Sequence, residues 1–230
     1  YVGLVTHYGA RRLGSGLEEE FGVVIRHKFK TVHVHIPKTA GRAISKGLFS
    51  TNRPRHVTAS QVKAVDPKNF DDYLVFTIVR NPWDRLVSYW CMCKHSNSRP
   101  HNNLMKACVD MFGTSEFYDF IRLCSHVNHS DLGLLKSWGL ESDLELHPQY
   151  YWTHDSSGTD LIDYTGKFES LNNSFNVLCD KLGLQNKKNQ LPRVGASSGR
   201  STYPGYYDSE SRDMVARIYK LDCITYGYNF

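Results

Sequence analysis

Lys38 stands where an ammonium can act on an anion. It follows a run of β-branched residues and histidines, TVHVHIP over residues 31–37, and precedes Thr39, Ala40 and Gly41, after which apolar residues take helical spacing. A strand, a tight turn and a helix N-terminus in that order gather backbone N–H groups at one point, and the helix dipole adds positive potential there. The N–H groups of Lys38, Thr39, Ala40, Gly41, Arg42 and Ala43, with the Lys38 charge, would cradle an anion, and Gly41 would let the backbone approach it closely. The alternative is an ordinary strand–helix turn with a solvent-facing lysine. A second set lies in FTIVRNPWDRLVSYW, residues 76–90. There Arg80 ends an apolar run and Ser88 falls about two turns into the following helix. A guanidinium can fork onto a phosphate, and a hydroxyl can donate to the same group. Trp83 and Tyr89 are expected in the core, and Arg85 at the surface or in an ion pair.

The elements that must carry these groups alternate in type. Residues 21–27 and 31–36 are rich in β formers, and the second run reads as a strand ended by Pro37. Ala43, Ile44, Gly47 and Leu48 give helical spacing after it. Thr58 and Gln61 form a capping box for a short helix ending before Pro67. Residues 73–79, YLVFTIV, are a near-continuous apolar run suited to a strand buried on both faces of a parallel sheet. Pro82 then suits the first position of a helix. Residues 96–150 read as helices and loops, with Ser115 to Cys124 amphipathic. A strand is expected over 160–168, a helix from Ser170 to Leu182 closed by Gly183, and a loop from Asn186 to Tyr207. One helix is expected from Asp208 to Tyr226, with Met214, Val215, Ile218, Tyr219 and Leu221 on one side. Residues 1–20 read as an irregular lead-in to a single domain over 1–230. Strands alternating with helices imply an α/β fold, a three-layer sandwich with a mainly parallel central sheet.

In such a sheet ligands bind outside the carboxyl ends of the strands, where both lysine and arginine motifs turn. The pattern G-x-x-x-x-G-K-[ST] of common ATP and GTP sites is absent; there the lysine comes at the helix start, whereas Lys38 comes directly after the strand and Pro37. The formal charge of +5 favours an anionic partner weakly, and no basic run is long enough for a nucleic-acid tail. No stretch approaches the 18 apolar residues of a membrane span. The chain begins at Tyr1 rather than Met, which reads as a trimmed product and leaves an upstream anchor open. The six cysteines permit disulfides without requiring them, and neither C-x-x-C pairs nor H-E-x-x-H suggest a metal site.

HVHIPKTAGRA together with FTIVRNPWDRLVSYW resembles the carbohydrate sulfotransferases, which use 3′-phosphoadenosine 5′-phosphosulfate (PAPS). LHPQYY (146–151), DYTGKFESL (163–171) and YYDSESRDMVARIYKLDCITYGYNF (206–230) are similar to later blocks of that family, so the likeness covers residues 31–230. The resemblance implies a P-loop-like fold in which the loop from Lys38 to Ala43 takes the 5′-phosphosulfate. Arg80 and Ser88 would take the 3′-phosphate, and the segment with Arg200 and Ser201 would close over the nucleotide. It implies a hydroxyl-bearing acceptor, a glycan, and no metal; neither nucleic acid nor membrane is expected to be contacted by this chain. Animal members work in the Golgi lumen behind an N-terminal anchor; bacterial relatives lack the anchor. The family usually has Thr and Ser where Arg42 and Ala43 stand, so a hydroxyl donor is lost at 43 and Arg42 would replace it or reach the substrate.

The implied reaction moves the sulfuryl group in line from a phosphate leaving group to an acceptor oxygen. Lys38 would stabilise the charge growing on the bridging oxygen. His56, placed between the two cofactor motifs where the family often carries a base, would take the acceptor proton; the bland alternative is a surface histidine beside Arg53 and Arg55. His33 and His35 are expected in core packing, at most one of them facing the site, and His147 is a candidate substrate contact. Two other function classes fit parts of the pattern: a nucleotide phosphotransferase with a variant anion loop, and an inactive glycan-binding relative in which Arg42 and Ala43 mark a lost site.

Overall fold

In a computed structural model of the chain, residues 24–51, 55–96, 98–129, 146–194 and 201–230 are described. The expected lead-in and Arg53, Gly199 and Arg200 lie outside them. The strands are β1 (Ile25–Arg26), β2 (Thr31–His33), β3 (Leu74–Val79) and β4 (Tyr164–Lys167). The helices, in chain order, are α1 (Gly41–Phe49), α2 (Ala59–Val65), α3 (Pro67–Asp72), α4 (Pro82–His95), α5 (Arg99–Phe112), α6 (Phe117–His129), α7 (Tyr150–Thr153), α8 (Leu171–Lys181), α9 (Ser209–Ile218) and α10 (Lys220–Tyr226). They fall into two compact units, Tyr1–Val79 with Gln149–Ala196, and Arg80–Pro148 with Ser197–Phe230.

The first unit holds the sheet, in the order β1-β2-β3-β4. β1 runs antiparallel to β2, while β2, β3 and β4 are mutually parallel, with His33 opposite Phe76 and Thr77 opposite Thr165. The fold is thus mixed α/β, a mainly parallel sheet flanked by helices, as the strand–helix alternation implies. β2 is shorter than the expected 31–36, yet Val34 N–H still donates to Phe76 C=O at 3.0 Å, so the extended chain continues toward Pro37. β3 is buried from Val75 to Val79, as its unbroken apolar run requires. Ile44 and Leu48 of α1 and Phe175, Leu178 and Cys179 of α8 pack on Phe76 and Ile78, which fixes α1 over the sheet. Thr58 and Gln61 form the expected capping box. β4 is confined to 164–167, because Asp163 is used to bond Val75: its N–H donates to Val75 C=O, and its carboxylate accepts from Val75 N–H.

The second unit is helical. Its core gathers Leu86, Val87, Tyr89 and Trp90 of α4, Leu104 and Cys108 of α5, Phe120, Ile121 and Cys124 of α6, and Val215 and Ile218 of α9. Pro82 takes the first turn of α4, and Asn81 caps it by accepting from the N–H groups of Trp83 and Asp84. The other end of the Asn81 amide donates to Asn229 C=O at 2.9 Å, tying the helix start to the last residues. The segment 208–226 is two helices rather than one, parting at Tyr219 (φ −106°, ψ 31°), and Leu221 is exposed rather than part of the buried side. Trp83 and Tyr89 are in the core as expected; of the two alternatives for Arg85 the surface one falls, since only 3% of the residue is accessible, and its guanidinium donates to His147 C=O at 3.1 Å. All six cysteines are free thiols.

Candidate active site

The Lys38 loop departs from helix convention at two residues. Lys38 (φ 70°) and Ala40 (φ 64°) both adopt left-handed backbone, which costs a non-glycine residue about 1 kcal/mol or more. Alternation of such conformations turns successive N–H groups to one side, the geometry of an anion-binding nest. Ala40 is the N-cap of α1 and has no side chain that can cap it, and the first turn of α1 carries no acidic residue. The N–H groups of Gly41 and Arg42 therefore begin a nine-residue helix whose N-terminal dipole end meets no acidic side chain in the first turn. Other members of the loop serve the fold. The Thr39 hydroxyl donates to Ile36 C=O at 2.8 Å, and Ala43 N–H donates to Ala40 C=O at 2.9 Å, so the Ala43 N–H expected to face a ligand is spent inside the helix. Arg42 is exposed and Ala43 buried.

Behind the loop runs a row of imidazoles. His33 and His35, two apart on one extended segment, project to the same side. His33 stacks on Phe76 (centroids 4.6 Å, 8° between planes) and shares a 3.0 Å hydrogen bond with Ser45 Oγ. His35 follows at 5.7 Å from His33, then exposed His56 at 4.7 Å from His35, then Trp152 edge-on to His56 at 6.2 Å. His35 occupies the space a side chain at Gly41 would need: a Cβ there would stand 1.9 Å from His35 Nδ1. On its Cβ side, the close approach that Gly41 permits is to an imidazole. His35 Nδ1 is buried and finds no hydrogen-bond partner among the described residues.

Both inner histidines are held neutral. Burial, helped by the nearby Arg26 cation, lowers His33 to about 3. Burial, then the charges of His56, His33 and Lys38, push His35 well below the usual histidine range. In the unfolded chain each would bind a proton below about pH 6.5, so the unfolded state gains protons that the folded state refuses. The stability they protect is complete above that value and lost as pH falls from it toward about 3 for His33. Urea unfolding at pH 5.5 should accordingly show roughly 2–3 kcal/mol less stability than at pH 7 from these two groups, and His33→Phe should flatten that dependence.

In the helical unit Arg80 is buried and paired. Its Nε and Nη2 both donate to Asp84 Oδ2 at 2.7 Å. Asp84 thus serves as a counter-ion that orients the guanidinium, a role the sequence reading did not assign, although the four-residue spacing is one at which side chains meet. Ser88 lies buried on α4, and Ser201 is exposed. His147 is lowered to about 4 by burial and by the adjacent Arg85 charge, and its carbonyl accepts from Arg85. The structure therefore brings Lys38, Gly41, His35 and His56 into one neighbourhood of the first unit, and Arg80, Asp84 and Ser88 onto one stretch of the second.

The sulfotransferase family matches residues 22–229 of the chain. No curated protein and no solved structure matches it.

Proposed function

We propose that this chain, which belongs to the sulfotransferase family, moves the sulfuryl group of PAPS to a hydroxyl of a carbohydrate acceptor. The observation that carries this reading is the Lys38 loop: two left-handed residues bracket Thr39, and the helix behind them opens without a cap. That donor set fits a phosphosulfate, whose oxygens need N–H groups and a nearby cation. Lys38, Thr39, Ala40, Gly41 and Arg42 are assigned the 5′ end of the nucleotide. Arg80 and Ser88, which follow β3, the strand beside β2, are assigned the 3′-phosphate, with Asp84 holding the guanidinium fork in one orientation. Arg200 and Ser201 are assigned closure over the nucleotide.

In the reaction the bond from sulfur to the bridging phosphate oxygen breaks as one from sulfur to the acceptor oxygen forms. Lys38 stabilises the charge left on the phosphate, and His56 takes the acceptor's proton at a ring nitrogen. His56 suits this role because it is exposed while its neighbour His35 stays neutral. A solvent-facing imidazole can accept a proton from substrate and release it to water.

A melting experiment tests the assignment. Saturating 3′-phosphoadenosine 5′-phosphate, at 100 times its dissociation constant, should stabilise the protein by about 2.7 kcal/mol. ATP with Mg²⁺ should do much less. No shift with the first nucleotide, or an equal shift with ATP–Mg²⁺, would count against PAPS and favour a phosphotransferase. A screen of sugars and polysaccharides with labelled PAPS then identifies the acceptor.

A further inference from the structure

His35 touches two parts of the proposed machinery that are far apart in sequence. One side of its ring fills the space over Gly41, the first residue of α1. Its ring also lies 4.7 Å from that of His56. The residue is 95% buried, with 5% accessible, and it carries a polar nitrogen with no partner among the described residues. An apolar ring in the same place would avoid the penalty of burying that nitrogen. The fold therefore tolerates a cost at a position that packing alone does not demand.

We propose that His35 is a positioning residue: its buried imidazole is wedged between the start of α1 and His56, and so fixes the base relative to the anion loop. This rests on the assignment of His56 as the base. His56 lies between the buried ring of His35, 4.7 Å away, and Trp152, edge-on at 6.2 Å, so His35 gives it a rigid surface against which to settle. A base held on one side by a buried ring loses little orientation before proton transfer, and orientation is where such positioning acts. His35 also links the two halves of the chemistry, because a shift of α1 on anion binding would be felt at His56 through one side chain.

The test is His35→Asn, which keeps a polar group near the Nδ1 position and removes the rest of the ring. Nucleotide affinity should stay within twofold and kcat should fall about tenfold. In a His56→Ala background the same substitution should cost nothing further, since its effect passes through His56. The Cε1–H NMR signal of His56 should move in His35→Asn, because a neighbouring ring is gone. Additive losses in the double variant, or an unmoved His56 signal, would overturn the proposal. His35→Gln serves as the second variant if Asn does not fold, with the same readouts. The NMR arm uses no substrate, which separates the two ideas. A full-activity His56→Ala enzyme would sink the base assignment, and with it the positioning role, even where the His56 signal responds.

Discussion

Lys38→Gly will lower kcat by about 10²–10³-fold and leave the melting temperature unchanged or slightly raised. The magnitude follows from what the ammonium does: removing one preorganised donor from a site of developing negative charge costs about 3–4 kcal/mol in the barrier. The choice of glycine follows from the backbone. At φ 70° Lys38 is in a conformation that glycine adopts freely, so this variant keeps the nest while deleting the charge. Lys38→Ala deletes the same charge but keeps the left-handed penalty. Comparing the two separates chemistry from strain: equal losses of turnover with unequal stability are expected. Lys38→Arg should recover only part of the rate, because a planar fork does not replace a compact point charge. Single-turnover sulfuryl transfer measures the step directly. Turnover near that of the wild type in Lys38→Gly would remove Lys38 from the mechanism.

How much of this was legible beforehand depends on how local the determinant is. The run at 73–79 and the alternation at 31–36 announced two strands, and both pair in parallel, because apolar continuity and β-branching are properties of the segment itself. The caps at Thr58 and the first-turn proline at 82 were legible for the same reason. The burial of Arg85 was not legible, because a helix position next to aromatic residues does not say which carbonyl lies within reach; His147 is 62 residues away in the chain. The parting of α9 from α10 at Tyr219 was missed since no glycine or proline marks it, and nothing in the local sequence explains it. At the site, Lys38 and Gly41 stood out by spacing, but the partner of Gly41 did not. That His35 fills the missing side chain is a fact of packing between an extended segment and a helix, which no one-dimensional pattern encodes. Arg80 was legible as a cation at a strand end, whereas its pairing with Asp84 reaches across the non-helical cap residue Asn81 (φ −47°, ψ 124°).

Gly41→Ala is the substitution on which helix propensity and packing disagree most sharply. Propensity favours alanine over glycine by about 1 kcal/mol in a helix interior, and Gly41, the first residue of α1, is not one of the glycines at positive φ. Packing opposes it: the new methyl would stand 1.9 Å from His35 Nδ1, 2.2 Å from Cε1 and 2.6 Å from Cγ, all within one rigid ring. A ring this buried cannot swing aside, so either α1 shifts off the sheet or the histidine is expelled. Overpacking of this kind costs about 1–3 kcal/mol and occasionally more, and the depth of the overlap places Gly41→Ala at the upper end, about 3 kcal/mol below the wild type. The sterics therefore win. The same geometry predicts its own suppressor. In a His35→Ala background the methyl enters space the ring has vacated, so adding Gly41→Ala there should restore stability relative to His35→Ala alone, a change of sign read from urea midpoints as a double-mutant cycle. If Gly41→Ala destabilises equally in both backgrounds, the clash lies elsewhere than with His35, and the wedge between α1 and His56 is lost with it.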